Sequence, residues 1–364
     1  MRQLSGSSRA PSRSGGIRIR SLAVSKLAFA LGFVAIVDLA YAQEQSATSI
    51  SREVKDVFER AAKAVVKIHG ADEHSEFFGT GFFIDPTGTI YTSYSVGGDA
   101  GDFTIEYNGK KYPARQILAD VRSRIAILKA DLATPALPLG KSDQLEVATP
   151  VIMIGFPLDL PKTPSFGMIA GFDRKYLGKY FWTTHLRVNL PTQRGEAGAP
   201  LLNLKGEVVG ILVSSLENNS ACYALPIDAA EKIRGDFVRF GEVRHGWIGA
   251  NVGFAETPVE GSSAEITEIF GTTPATDSGI RPGDILLQVG KVKVREPEDV
   301  LDASFFITAG DTVPITVMRG GEKLTFNIQA DFHPLSKRPP IIASPMSPNR
   351  AIPLNLQNAP ERTP

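Results

Sequence analysis

GEAGAPLLNLKGEVVGI, residues 195–211, joins a tight turn to a strand. Gly195, Ala197, Gly198 and Ala199 are small enough for a backbone that doubles back. The β-branched EVVGILVS at 207–214 reads as a strand. Working outward, GTGFFI (79–84), TIYTS (89–93), FTIEY (103–107), RIAILKA (124–130), PVIMIGFP (150–157) and FWTTHLRV (181–188) repeat the pattern, broken by Gly, Pro, Asp or Asn. Many short strands at such spacing argue for a sandwich or barrels rather than βαβ units.

Helical signals flank this β-rich stretch. SREVKDVFERAAKAVVKIH (51–69) starts with Val54, Val57, Phe58 and Ala61 on one helical face, then passes into a strand at Val65-Val66. PIDAAEKIRGDFVRFG (226–241) predicts a helix with Ile227, Ala230, Ile233, Phe237 and Phe240 at apolar positions and Gly241 placed to stop it. A smaller α+β unit is expected over 244–330. Residues 331–364, exemplified by KRPPIIASPMSPN, show no period and read as a disordered tail.

At 364 residues, 43% of them hydrophobic and 21% charged, the chain has room for two or three globular domains. Six basic side chains and one acid lie in residues 1–42, and the remainder carries 33 basic against 38 acidic groups. A mildly acidic chain without a basic run has no electrostatic footprint for nucleic acid. The single cysteine, Cys222, excludes an internal disulfide. At the N-terminus, basic residues up to Lys26 precede the apolar LAFALGFVAIV (27–37) and Ala40-Tyr41-Ala42. The short apolar run and Ala-x-Ala end predict an exported protein, periplasmic or secreted, with a signal peptide over 1–42. An uncleaved signal anchor, holding the same domains at a membrane, is the alternative.

In sequence order, AKAVVKI, GTGFFIDPTGTIYTS, RSRIAILKA, GEAGAPLLNLKGEVVGI, CYALPID, FGEVRHGWIGA and DSGIRPGDILLQVG resemble the HtrA (Deg) family, a trypsin-like double β-barrel protease followed by a PDZ domain. The resemblance implies a mainly β fold. The trypsin-like domain would span 43–241 and the α+β PDZ domain 244–330. It also implies a homo-oligomer, a trimer in the family, without cofactor or metal.

Such a protease needs a serine to attack, a histidine to take its proton and a carboxylate to orient the histidine. The family's histidine falls in a TNAHV-like stretch, here TSYSV (92–96), which puts Ser95 in its place. Its aspartate falls in a TDIAVLK-like strand, here SRIAILK (123–129), with Arg124 in its place. Its serine falls in GNSGGP, here GEAGAP (195–200), with Ala197 in its place. Neighbouring registers offer Tyr94, Ser93 or Ser123, none an imidazole, and the five histidines (69, 74, 185, 245, 333) lie outside these stretches. Losing the serine or histidine of such a unit costs about 10⁶ in turnover, on the order of 8 kcal/mol. A triad-less pseudoprotease with no catalytic residue is expected, against an active endopeptidase using other residues or a regulatory subunit of an active relative.

Secondary candidates remain. The oxyanion donors would be the N–H groups of Gly195 and Ala197, beside Glu196; a Glu196–Arg124 pair competes with a solvated Glu196 and an outward Arg124. Cys222 and His185 read as structural, and Ser95 as a polar strand-end residue. In the PDZ unit, Trp247-Ile248-Gly249-Ala250 matches the carboxylate nest, and Asn251-Val252 begins the strand a guest would extend. Val300 and Ser304, on a helix over 297–306, would form the opposite wall. The expected partners are peptide C-termini or unfolded segments. The competing expectation is that this edge docks on the protein's own barrel.

Overall fold

The computed structural model describes residues 50–71, 76–98, 102–177, 179–216 and 219–332. The leader reading at 1–42 and residues 333–364 of the proline-rich tail fall outside the described residues, as do His74 and His333. Residues 50–61 form helix α1.

Six strands close the first barrel: β1 (Val65–Ala71), β2 (Glu76–Phe83), β3 (Thr89–Ser93), β4 (Asp102–Tyr107), β5 (Lys110–Asp120) and β6 (Ile125–Lys129), ordered β1-β2-β3-β6-β5-β4. A second six-stranded barrel consists of β7 (Pro150–Gly155), β8 (Thr163–Tyr176), β9 (Lys179–Val188), β10 (Pro200–Leu202), β11 (Val208–Ser215) and β12 (Cys222–Pro226). Their β-branched runs are buried because a closed barrel hides one face of every strand. Val65, Val66, Ile68, Phe82, Ile90 and Ile125 are sealed in the first barrel; Val151, Met153, Leu186, Val188 and Leu201 are sealed in the second.

Local chemistry sets the turns. Between β2 and β3, Asp85 Oδ1 accepts N–H bonds from Thr87 and Thr89. Gly88 takes φ +89°, and a Cβ there would fall 2.0 Å from the Ala130 carbonyl. Only glycine meets both demands.

Two further helices follow, α2 (Tyr94–Gly97) just after β3 and α3 (Ile227–Phe240) after the second barrel. Gly241 ends α3 at φ +76°, its N–H bonded to the Phe237 carbonyl, as the glycine position predicts. The buried face of α3 includes Asp236 beside Ile227, Ala230 and Ile233, a polar member that apolar periodicity passed over.

The last unit holds β13 (Gly246–Trp247), β14 (Ala250–Val259), β15 (Ser262–Ile269), β16 (Ile285–Val289), β17 (Val292–Lys293), β18 (Thr312–Arg319), β19 (Glu322–Gln329), β20 (Asp331–Phe332) and helix α4 (Asp299–Phe306). Its main sheet runs β14-β15-β16-β18-β19, so β14 is an edge strand. Ordered structure passes the predicted boundary at 330, because Asp331 and Phe332 pair antiparallel with Trp247 and Gly246.

Candidate functional site

The cleft residues come first. Ser93 ends β3 opposite Ile125 of β6, and Tyr94 donates its N–H to the Arg124 carbonyl at 2.7 Å. The Ala197 carbonyl accepts from Thr80 N–H at 2.9 Å. A Cβ on Gly198 would lie 2.3 Å from Thr92 Oγ1 and 2.7 Å from Ser93 N. The loops carrying Ser95, Arg124 and Ala197 are therefore packed together.

Ser95 lies within the short helix α2, two residues past the end of β3 and not at a strand end, because Ser93 caps that turn. Its Oγ is 2.6 Å from Ser93 Oγ, and the residue is exposed. Arg124 is exposed with φ +61° and stands 6.0 Å from the centroid of the Phe181 ring. Gly195 and Gly198 hold φ of +98° and +84°, and the Gly195 carbonyl accepts from Thr80 Oγ1 at 2.7 Å.

Glu196 corrects the expectation of a solvated acid. It is 2% exposed, and its Oε2 accepts from Gln193 N–H at 2.6 Å. Burial pushes its pKa above the usual carboxylate value, while the Gln193 bond works the other way. The Arg124 pairing is not formed among the described residues. The carboxylate turns inward because the backbone of Gly155 leaves room for it, the Glu196 Cγ coming 3.0 Å from where a Gly155 Cβ would sit.

The described histidines sit elsewhere. His185 donates Nδ1–H to the Thr183 carbonyl at 2.8 Å and stacks on Phe181 at 4.3 Å. Burial pulls its pKa down to about 4; the Thr183 bond and Asp302 oppose this, and Arg124 adds to it. His245 Nε2 meets Asp120 Oδ1 at 3.2 Å, and Asp120 also accepts from Ser123. Cys222 is 1% exposed, and burial, with the Glu196 charge, pushes its thiol up to about 12. That is the environment of an inert core thiol.

The second candidate region is the groove between β14 and α4. At its head a cavity of about 60 Å³ is lined by Trp247, Ile248, Ala250, Val300 and Ser304, which brings three of the four expected nest residues beside the expected helix wall. Strand β14 begins at Ala250, one residue earlier than expected. Gly249 has φ +86°, and a Cβ on it would lie 2.3 Å from the Thr273 side chain. Glycine is required there by packing inside the domain itself, a reason the sequence did not disclose.

Sequence reasoning missed the contribution of the barrel. Arg122 and Trp182 line a cavity of about 300 Å³ beside Asn251 and Ser304. Phe181 and Trp182 line another of about 530 Å³ with Val252, Phe254, Glu298 and Leu301. The available signal was Phe181-Trp182 in FWTTHLRV, two consecutive aromatics near the start of one strand. Arg174 fixes the wall of the groove, donating to Glu296, Asp299 and Asp302 at 2.6, 2.6 and 3.1 Å. Asp302 further accepts from Thr183 Oγ1, Thr184 N and Thr184 Oγ1. Barrel and groove thus share α4, the wall opposite the β14 edge.

A double barrel with an appended unit of eight strands and one helix defines the class of protein: residues 79–211 match the family model for a trypsin-like peptidase domain, and residues 246–330 match that for a PDZ domain. The chain thus carries a trypsin-like peptidase domain followed by a PDZ domain, and it is similar to HtrA-type proteins. It is 29% identical over 293 residues to a probable periplasmic serine endoprotease DegP-like from Halomonas elongata, covering 74% of this chain and 60% of that protein. It is 26% identical to the serine endoprotease DegS of Salmonella typhimurium, over 76% of this chain and 85% of the relative. Among solved structures, the HtrA-type protease AlgW with tripeptide superposes with a TM-score of 0.67 at 22% identity, over 77% of this chain and 97% of that one. The chain spans a little over half the length of several DegP-like relatives it matches.

Proposed function

We propose that this HtrA-like chain is an exported pseudoprotease, a peptide- and protein-binding scaffold that works through its PDZ domain. The observation that carries the reading is Ala197: a methyl group stands in the turn between Gly195 and Gly198, and the loops packed against it bear Ser95 and Arg124. Alanine offers no atom for attack, and Arg124 beside an imidazole would disfavour the imidazolium a triad passes through. The one described histidine near Arg124, His185, is held neutral by burial.

Binding falls to the edge strand β14. An extended peptide adds as a strand along it, its terminal carboxylate at Trp247-Ile248-Gly249-Ala250 and its last side chain between Val300 and Ser304. The solved relatives named with a tripeptide or decapeptide support this, and the relatives named periplasmic support export. Oligomerisation, as a trimer, and a cleaved leader complete the proposal; an uncleaved leader would place the scaffold at a membrane.

The test is incubation of the purified protein with an unfolded casein-type substrate, together with fluorophosphonate labelling. Neither cleavage nor labelling is expected. Hydrolysis that survives Ser95→Ala and Cys222→Ala would overturn the reading in favour of the endopeptidase that the relatives' names describe. Cleavage appearing only on mixing with an active relative would instead establish a regulatory subunit.

A further inference from the structure

Four acids cluster at the start of α4: Glu296, Glu298, Asp299 and Asp302. Arg174 is committed to three of them. Glu298 is left out: the residue is half-buried, and among the described residues its Oε2 finds no hydrogen-bond partner. A desolvated carboxylate oxygen without a donor is costly, and a charged donor is the partner that repays it most.

Glu298 lines the cavity of about 530 Å³ whose other walls include Phe181, Trp182, Phe254 and Leu301. Two features of this cavity select the donor. Its volume accommodates a long side chain, and its aromatic rings favour an apolar stem that ends in a cation. Trp182 already carries the Arg122 guanidinium 4.6 Å from its ring centroid. Arg122 lines the neighbouring cavity, beside Ala250 and Ser304. Positive charge therefore sits at the head of the groove and negative charge further along, at Val252–Phe254.

We infer that the groove selects peptides bearing a lysine or arginine upstream of a free carboxyl end, with the basic side chain seated against Glu298 between Phe181 and Phe254. This rests on the peptide-binding reading above. With the guest's carboxylate at Ala250 and its chain antiparallel to β14, the residues facing Val252–Phe254 are about two to four positions before its end, since paired strands advance together. The barrel contributes the Phe181–Trp182 side of the subsite, so the PDZ unit by itself lacks half of it.

The experiment is fluorescence anisotropy of the full chain with dye-labelled hexapeptides ending in valine. Lysine, norleucine or glutamate is placed in turn two, three and four residues before the end, and each peptide is made with a free or an amidated terminus. At one of these positions lysine is expected to bind about tenfold more tightly than norleucine. Glu298→Gln is expected to remove that preference, bringing the ratio of lysine to norleucine affinity to about one. Phe181→Ala is expected to weaken the lysine peptide more than the norleucine peptide. Equal affinity for lysine, norleucine and glutamate at all three positions, with amidation still abolishing binding, overturns the basic subsite and leaves the groove standing. No binding by any peptide overturns both.

Discussion

Arg174 on β8 donates Nε–H to Asp302 Oδ2 on α4 at 3.1 Å, across 128 positions of sequence. The second barrel thereby holds the helix that walls the PDZ groove. Burial works against the charge of Arg174, yet Asp299, Asp302 and Glu296 together keep its pKa above the usual arginine value.

Removing that arginine leaves partly buried carboxylates facing one another. Arg174→Ala is expected to destabilise the PDZ unit by about 2 kcal/mol, below the cost of breaking a fully buried pair because the guanidinium is 29% exposed. Hydrogen exchange should rise first in peptides covering 297–306. Unchanged exchange there would show that α4 is held by packing alone.

Gly249→Ala sets a Cβ into the Thr273 side chain at a positive φ. A loss of about 2 kcal/mol or more is expected in urea unfolding. Adding Thr273→Ala should restore part of it, since the clash is removed and the backbone strain is not.

Acid acts on two groups in different windows. His185 has its folded pKa lowered to about 4 from 6.5, so the unfolded chain binds the proton first. Stability is then complete above about pH 6.5 and falls by up to about 3 kcal/mol as pH drops towards 4. Replacing His185 by glutamine should flatten that segment of the stability profile. NMR should place the native His185 titration near 4.

Asp120 acts lower. Burial alone would raise its pKa, but the bonds and charge of His245 and the donors of Ser123 hold it below 3.8. The stability this contributes is present above about pH 4 and is lost as pH falls through the lowered value. Asp120→Asn should remove acid sensitivity below pH 4 and, by leaving His245 without its anion, lower stability at pH 7 by about 1–3 kcal/mol. Identical acid unfolding curves for the variant and the parent would refute this role of Asp120.

Cys222, with its thiol pushed up to about 12, should resist iodoacetamide at pH 8 in the native protein and react once in urea. Native-state labelling within minutes would mean that the second barrel opens.

Much of the molecule is legible in one dimension because its signals are local. EVVGILVS and FTIEY are strands by residue type, and IDAAEKIRGDFVRF is a helix ended by Gly241. Ser95 was placed at a strand end because the Ser93 cap that starts α2 uses only a few residues and leaves no periodic trace. The Glu196 carboxylate was read as solvated because its burial depends on Gly155, 41 positions earlier. Asp236 escaped for the same reason: its partners Lys232, Arg244 and Thr308 converge from three segments.

Sequence by itself determined the strand-rich double unit with its α+β appendage, the methyl side chain at 197 and the residue types at 95 and 124, since these follow from residue identity and short-range pattern. Only tertiary structure decided that Arg174 grips α4, that Phe181 and Trp182 line the groove, and that Glu298 is the acid of the four that Arg174 does not reach. Side chains more than a hundred residues apart meet through the closure of barrels and the packing of one domain on another, and no local propensity encodes which of them will face the same space.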